Sequence, residues 1–137
     1  MKIGATLCLI SVLILFHSCD SMRSGKERVL VYSKHADYVH SSIPAGIQAI
    51  QQLGAGNGFE VDTTTIASKF TEDKLTQYAA VIFLNTTGDV LNIREEVAFE
   101  RYIQAGGGFV GIHSATDTEY VWGWYGRLVG AYFDGHP

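Results

Sequence analysis

Cysteine is almost absent from this chain, and the position of its two cysteines says more than their number. Cys8 and Cys19 both fall within the first 19 residues. The rest of the chain therefore closes no internal disulfide, offers no thiol nucleophile and has no thiolates for a structural zinc site. Any chemistry it performs must rest on histidines, carboxylates and hydroxyls. Basic residues are scarce too: ten Lys and Arg stand against fourteen Asp and Glu, a formal charge of −4. That balance argues against the clustered cationic footprint of a nucleic-acid binder. Long apolar runs are also lacking. Ile3 to Phe16 covers 14 residues, short of the roughly 20 that span a bilayer.

A short apolar run behind a single cation, Lys2, reads as a secretion signal. Ser18-Cys19 closes it, and a polar stretch through Lys26 follows. A small residue followed by cysteine at this place resembles the lipobox of bacterial lipoproteins. The resemblance implies that Cys19 is acylated and becomes the new N-terminus, which puts an exported protein at the cell envelope on a lipid anchor in the membrane. The expected organisation is a signal at 1–19, a polar tether at 20–27 and one domain at 28–137. Loss of the signal removes one lysine and no acid, so the charge moves to about −5. A domain of this size buries roughly two-thirds of the surface its unfolded chain exposes.

Within the domain, apolar β-branched runs alternate with helical patterns. Arg28 to Ser33 reads as a buried strand, and Ser41-Ser42-Ile43-Pro44 opens a helix with proline in its first turn. Ile43, Gly46, Ile47, Ile50 and Leu53 form its apolar stripe, and Gly54, Gly56 and Gly58 end it. Phe59 to Thr63 is a second strand, and Thr71 is placed to cap a short helix with Glu72 and Asp73 in its first turn. Ala79 to Leu84 is apolar throughout, as a strand covered on both faces should be. Asn92 and Glu95 have capping-box spacing, and Ala98, Phe99, Tyr102 and Ile103 give the following helix its core face. Phe109 to Ile112 is the fourth strand. This order predicts an α/β fold with a parallel sheet between two helical layers, and a site at the carboxyl ends of the strands. Gly106 to Gly111 matches G-x-G-x-x-G literally, but it follows a helix and enters a strand, the reverse of a dinucleotide site. It reads as a helix stop and a tight turn.

Polar residues collect after three strands. Lys34, His35, Asp37, Tyr38 and His40 follow the first; Asn85, Thr86 and Thr87 the third; His113, Ser114, Thr116, Asp117 and Glu119 the fourth. Two readings of His113 stand: a partly buried histidine bonded to a backbone carbonyl, or a general acid/base or ligand, a role suited to imidazole near neutral pH. His40 either supports the start of the first helix or joins the site. Asp117 either caps a turn or acts. Trp122, Trp124 and Tyr125 are either core residues or a sugar platform. Three histidines, His40, His113 and His136, raise a divalent transition metal as an alternative, although their separations in sequence have no local ligand spacing.

Arg28 to Ser33 with His40 and Ser42 to Gly46, Phe83 to Asp89, Gly106 to His113 with Ala115 and Asp117, and Gly130 to Phe133 with His136-Pro137 together resemble the ThuA-like (trehalose-utilisation) family. Val121, Gly123 and Ser114 depart from the family's usual aspartate, proline and alanine. The resemblance implies a class I glutamine amidotransferase-like fold, a flavodoxin-like three-layer parallel sheet, cut short after the fourth strand. In the amidotransferases a cysteine occupies the elbow where His113 stands here. Imidazole cannot form the thioester needed for glutamine hydrolysis, so that activity is not expected. The family resemblance implies instead the processing or binding of a small sugar, with a secreted glycosyl hydrolase as one expectation and a catalytically silent envelope module that binds glycans or partners as the alternative. The site residues expected are His113, His40 and Asp117 for catalysis, and Asn85, Thr86, His136 and Trp124 for ligand contacts.

Overall fold

The computed structural model describes residues 25–136; the signal-like segment with Cys8 and Cys19 lies outside the described residues. Strand β1 (Arg28–Tyr32) leads into helix α1 (Ile43–Asn57), then strand β2 (Glu60–Thr64). A short helix α2 (Glu72–Leu75) precedes β3 (Ala80–Leu84), and α3 (Ile93–Gln104) precedes β4 (Gly108–Ile112). Helix α4 (Gly123–Val129) follows a 3-10 turn at His113–Thr116. All strand pairs are parallel, in the order β2-β1-β3-β4. The chain therefore reverses its direction of winding between β1 and β3. In open parallel sheets that switch point opens a crevice at the carboxyl ends of the strands.

Alternation along the strands builds two cores. Leu30 and Tyr32 of β1 and Val81 and Phe83 of β3 face the side covered by α2, α3 and α4, where Leu75, Phe99, Tyr102 and Tyr125 complete an aromatic-rich cluster. Val31, Ile82 and Leu84 face the other way, onto Ile50 of α1. Phe83 and Phe99 stack with centroids 5.3 Å apart, and both are fully buried. Each such side chain contributes about 2–3 kcal/mol of transfer free energy.

The expected helix signals are met in most places. Asn92 accepts from the amides of Arg94 and Glu95 while the Glu95 carboxylate accepts from the Asn92 amide, a complete capping box. Gly58, at φ 81°, closes α1 in the left-handed region that glycine adopts without penalty. The G-x-G-x-x-G stretch joins α3 to β4, with Gly106 at φ 94° making the turn. Three expectations need correction. Gly54 and Gly56 lie inside α1, and Gly58 alone ends it. Thr71 precedes α2 but makes no side-chain cap bond. Leu53 of the α1 stripe is 57% exposed, because α1 leans on the sheet through Ile47, Ile50 and Gly54 instead.

The parallel register continues beyond the strands. His35 pairs with Thr87, and Gly88 with Thr118, as isolated bridges. The Ala36 amide donates to Thr87 O at 2.8 Å, Gly88 N to Asp117 O at 2.8 Å and Glu119 N to Gly88 O at 3.1 Å. The loops that carry the candidate site residues are thus stitched to one another by backbone bonds.

Candidate functional site

At the carboxyl ends of the strands lies a cleft of about 550 Å³. His40 comes to it from the loop after β1, and His113, Ser114 and Asp117 from the segment after β4. Phe133 and His136 supply a further wall, their rings 4.9 Å apart. Another hollow, of about 310 Å³, sits at the amino ends of β3 and β4 between Tyr78, Tyr102 and the Glu72–Arg101 ion pair, and contains no histidine.

His113 occupies an unusual backbone position. Its φ is 55°, in the left-handed region where a residue with a Cβ is disfavoured, and its side chain is exposed to the cleft. Asn85, at the end of β3, shares that conformation at φ 52°. Strained residues at the tips of parallel strands lift a side chain out of the sheet, the geometry of a nucleophile elbow. The His113 ring meets the His40 ring edge to face at 4.7 Å, and Tyr38 packs against His40 in the same manner at 4.8 Å. His40 Nδ1 lies 3.4 Å from Ser114 Oγ. Desolvation holds the His40 imidazole below its ordinary value, the neighbouring His113 adds to the shift, and Asp117 opposes it. Asp117 accepts a 2.6 Å bond from the Tyr120 hydroxyl, whose single hydrogen is shared between Asp117 and Phe133 O, 2.8 Å away. Burial, and then the Asp117 carboxylate, push the Tyr120 phenol up to about 12.

The structure therefore brings His40, His113, Asp117 and His136 together at one cleft. It places the other three expected residues elsewhere. Asn85 is buried and donates to Ser42 Oγ at 2.9 Å, tying the end of β3 to the start of α1. Thr86 is fully buried and shares a 2.8 Å hydrogen bond with the Thr118 hydroxyl. Trp124 packs on the aromatic core, stacked on Trp122 at 5.0 Å and edge-on to Phe99. Thr86 is turned inward past the end of β3, after the left-handed Asn85, and Trp124 is drawn in by the apolar face of α4.

The carboxylates divide in a way their sequence spacing does not suggest. Asp117 and Glu119 are two residues apart, yet only Asp117 lines the cleft. Glu119 is fully buried, and its Oε1 accepts from the amides of Val90 and Leu91 at 2.9 and 2.7 Å. Asp89 lies beside Glu119, not beside Asp117. Among the described residues the histidines do not form a three-ligand metal group; the set whose ligand atoms converge is Asp89, Glu96 and Glu119. Tyr38, Ser114, Thr116 and Phe133, which complete the cleft, were marked in sequence only by standing past a strand end or by belonging to the Gly130 to Phe133 stretch beside His136.

Residues 28–137 match the trehalose-utilisation (ThuA) family along their whole length. The chain belongs to the ThuA family. Among solved structures, it is similar to a protein from Bacteroides uniformis described as ThuA-like, at 29% identity and a TM-score of 0.65. That likeness covers 82% of this chain and 48% of the other, so the chain spans about half the length of that ThuA-like protein. No curated protein matches. The four-stranded parallel sheet with helices on both faces is the flavodoxin-like arrangement expected of a ThuA domain.

Proposed function

We propose that the cleft is a sugar site in which His113, seconded by His40, transfers a proton to or from the bound ligand. ThuA membership supports a sugar-related role in general terms. The observation that carries the finer reading is the edge-to-face histidine pair, one member of it held at φ 55° on a strand tip and exposed to the cleft. A neutral imidazole beside a second imidazole is equipped for general acid/base work near neutral pH. Asp117 is the single carboxylate lining the cleft among the described residues. Glycosidases of the usual kind need two facing carboxylates. The lining thus favours proton transfer next to a sugar carbonyl over two-carboxylate hydrolysis of a glycosidic bond.

The test uses the full chain with trehalose and with its keto derivatives, by calorimetric titration and by proton–deuterium exchange at the carbon next to the carbonyl. Binding of a disaccharide or keto-sugar, with exchange lost in His113→Ala, supports the proposal. Binding that survives with no turnover would leave a glycan-binding module as the reading. No binding of any of these sugars would remove it. Export and anchoring through Cys19 belong to the same proposal and rest on Ser18-Cys19 behind the apolar run. Among the described residues no helix is long and apolar enough to cross a membrane.

A further inference from the structure

Away from the histidine cleft, three carboxylates meet where the loop after β3 passes the first turns of α3. Asp89 is exposed, Glu96 is half-buried and Glu119 is fully buried, and one ligand oxygen from each lies within 4.8 Å of the other two. Glu119 divides its two oxygens sharply. Oε1 is saturated by the amides of Val90 and Leu91, whereas Oε2 is sealed from water and meets no donor. The group beside it is the Asp89 carboxylate, close enough to share a proton with it but with no hydrogen to give when both are ionised. Protein cations give no relief. Among the described residues, the ion pairs within 4.0 Å are Arg28 with Glu60 and Asp62, and Arg101 with Glu72. The Lys34 ammonium is directed to Val90 O at 2.9 Å. A buried carboxylate oxygen with neither donor nor cation costs several kcal/mol, and such a group in a native fold calls for an ion or a proton.

The geometry points to a divalent cation bound by Asp89, Glu96 and Glu119 Oε2, and specifically to calcium. An all-oxygen donor set selects hard cations. Calcium takes oxygens at about 2.3–2.6 Å, so two ligands on opposite sides of it stand up to about 5 Å apart. Magnesium, at about 2.0–2.1 Å, reaches only about 4.2 Å between opposite oxygens. Oxygens that lie within 4.8 Å of one another can close on the larger ion without movement of the sealed Glu119. The exposed Asp89 leaves one side open to water, which calcium needs to fill its shell of six to eight oxygens. A cation here would clamp the Asp89 loop to α3 and to the 117–120 segment, whose backbone is already bonded to Gly88. Asp117 of the cleft lies two residues along that segment.

The full chain, stripped with EDTA, is titrated with calcium chloride and with magnesium chloride by calorimetry and by thermal unfolding. One saturable calcium site is expected, with a dissociation constant of about 0.1–1 mM, as in calcium modules of similar charge, and with magnesium at least about tenfold weaker. Glu119→Gln is the decisive variant. Its amide oxygen still accepts from Val90 and Leu91, while its amide nitrogen replaces Oε2 and offers Asp89 a donor. It should lose calcium binding and the calcium-dependent rise in melting temperature, yet melt no lower than the metal-free wild type. Asp89→Asn, at an exposed position, should weaken calcium by about a hundredfold, since loss even of an outer-shell partner costs ten- to a hundredfold. Absence of saturable calcium binding at concentrations about ten times the expected constant would overturn the proposal and assign the cluster a shared proton. Equal binding by wild type, Glu119→Gln and Asp89→Asn would overturn it too, and so would magnesium binding as tightly as calcium.

Discussion

The left-handed backbone at His113 makes a prediction whose sign is the reverse of the ordinary one. In most positions glycine is less stable than alanine by about 0.5–1 kcal/mol, because it loses more freedom on folding. At φ 55° an alanine keeps the clash between its Cβ and the following carbonyl, which costs about 1–2 kcal/mol. Glycine has no Cβ and is free of that cost. The difference leaves His113→Gly more stable than His113→Ala by about 0.75 kcal/mol at the middle of both ranges. For a domain of this size, that separation is roughly 2–5 °C in melting temperature. His113→Gly should also match or exceed the wild type, since the exposed ring contributes only its edge contact with His40. Both variants should lose the sugar response, so stability and function would move in opposite directions in the glycine variant, as at strained functional positions. Urea unfolding of the three proteins, compared by midpoint and slope, measures the differences. If His113→Ala proves as stable as His113→Gly or more so, the strained-tip account of the site is wrong.

Three further outcomes are expected. Gly54 and Gly56 lie two residues apart on opposite faces of α1, and a Cβ on Gly54 would stand 2.8 Å from Phe59 O while one on Gly56 would meet nothing within 4 Å. Gly56→Ala should therefore stabilise by about 0.5–1 kcal/mol while Gly54→Ala destabilises by about 1–3 kcal/mol, and equal effects in thermal melts would contradict the packing of α1 on β2. His40 is held below its ordinary 6.5, so the unfolded chain takes up its proton first as the pH falls. Its share of stability is complete above that value and declines as pH drops through the folded value; His40→Gln should flatten this part of the pH–stability curve, and an unaltered slope would count against it. In bacteria the wild type should incorporate labelled fatty acid and partition into detergent, whereas Cys19→Ser should do neither; equal labelling would exclude the lipid anchor.

Most of the fold was legible because each element carries a local cause. The apolar runs ending at Tyr32, Leu84 and Ile112, the Asn92–Glu95 box and the Gly58 stop are physical instructions that act over a few residues, and the structure follows them. Leu53 misled because periodicity defines a stripe wider than the contact that the sheet offers. Within the site, His40, His113, Asp117 and His136 were accessible because strand ends in a parallel sheet share one rim. Thr86 and Glu119 were not, since the inward or outward aim of a side chain past a strand depends on backbone torsions that composition does not encode. Glu119 has φ 56°, and that single torsion accompanies a carboxylate sunk among the amides of Val90 and Leu91 while Asp117, two residues earlier, stays in the cleft.

The backbone bonds beyond the strands have a consequence for how the rim moves. Ala36, Gly88 and Glu119 lie in segments that carry no regular secondary structure, where amide protons would ordinarily exchange with solvent in the first moments. Here each is held by a carbonyl of the neighbouring loop. Their deuterium uptake should keep pace with that of β3, not with that of the exposed α1 surface. A rim that opens only together with the sheet cannot fold over a ligand one loop at a time. Slow uptake there would make the loops after β1, β3 and β4 a preformed part of the cleft, and substitutions in them should then change departure rates more than arrival rates.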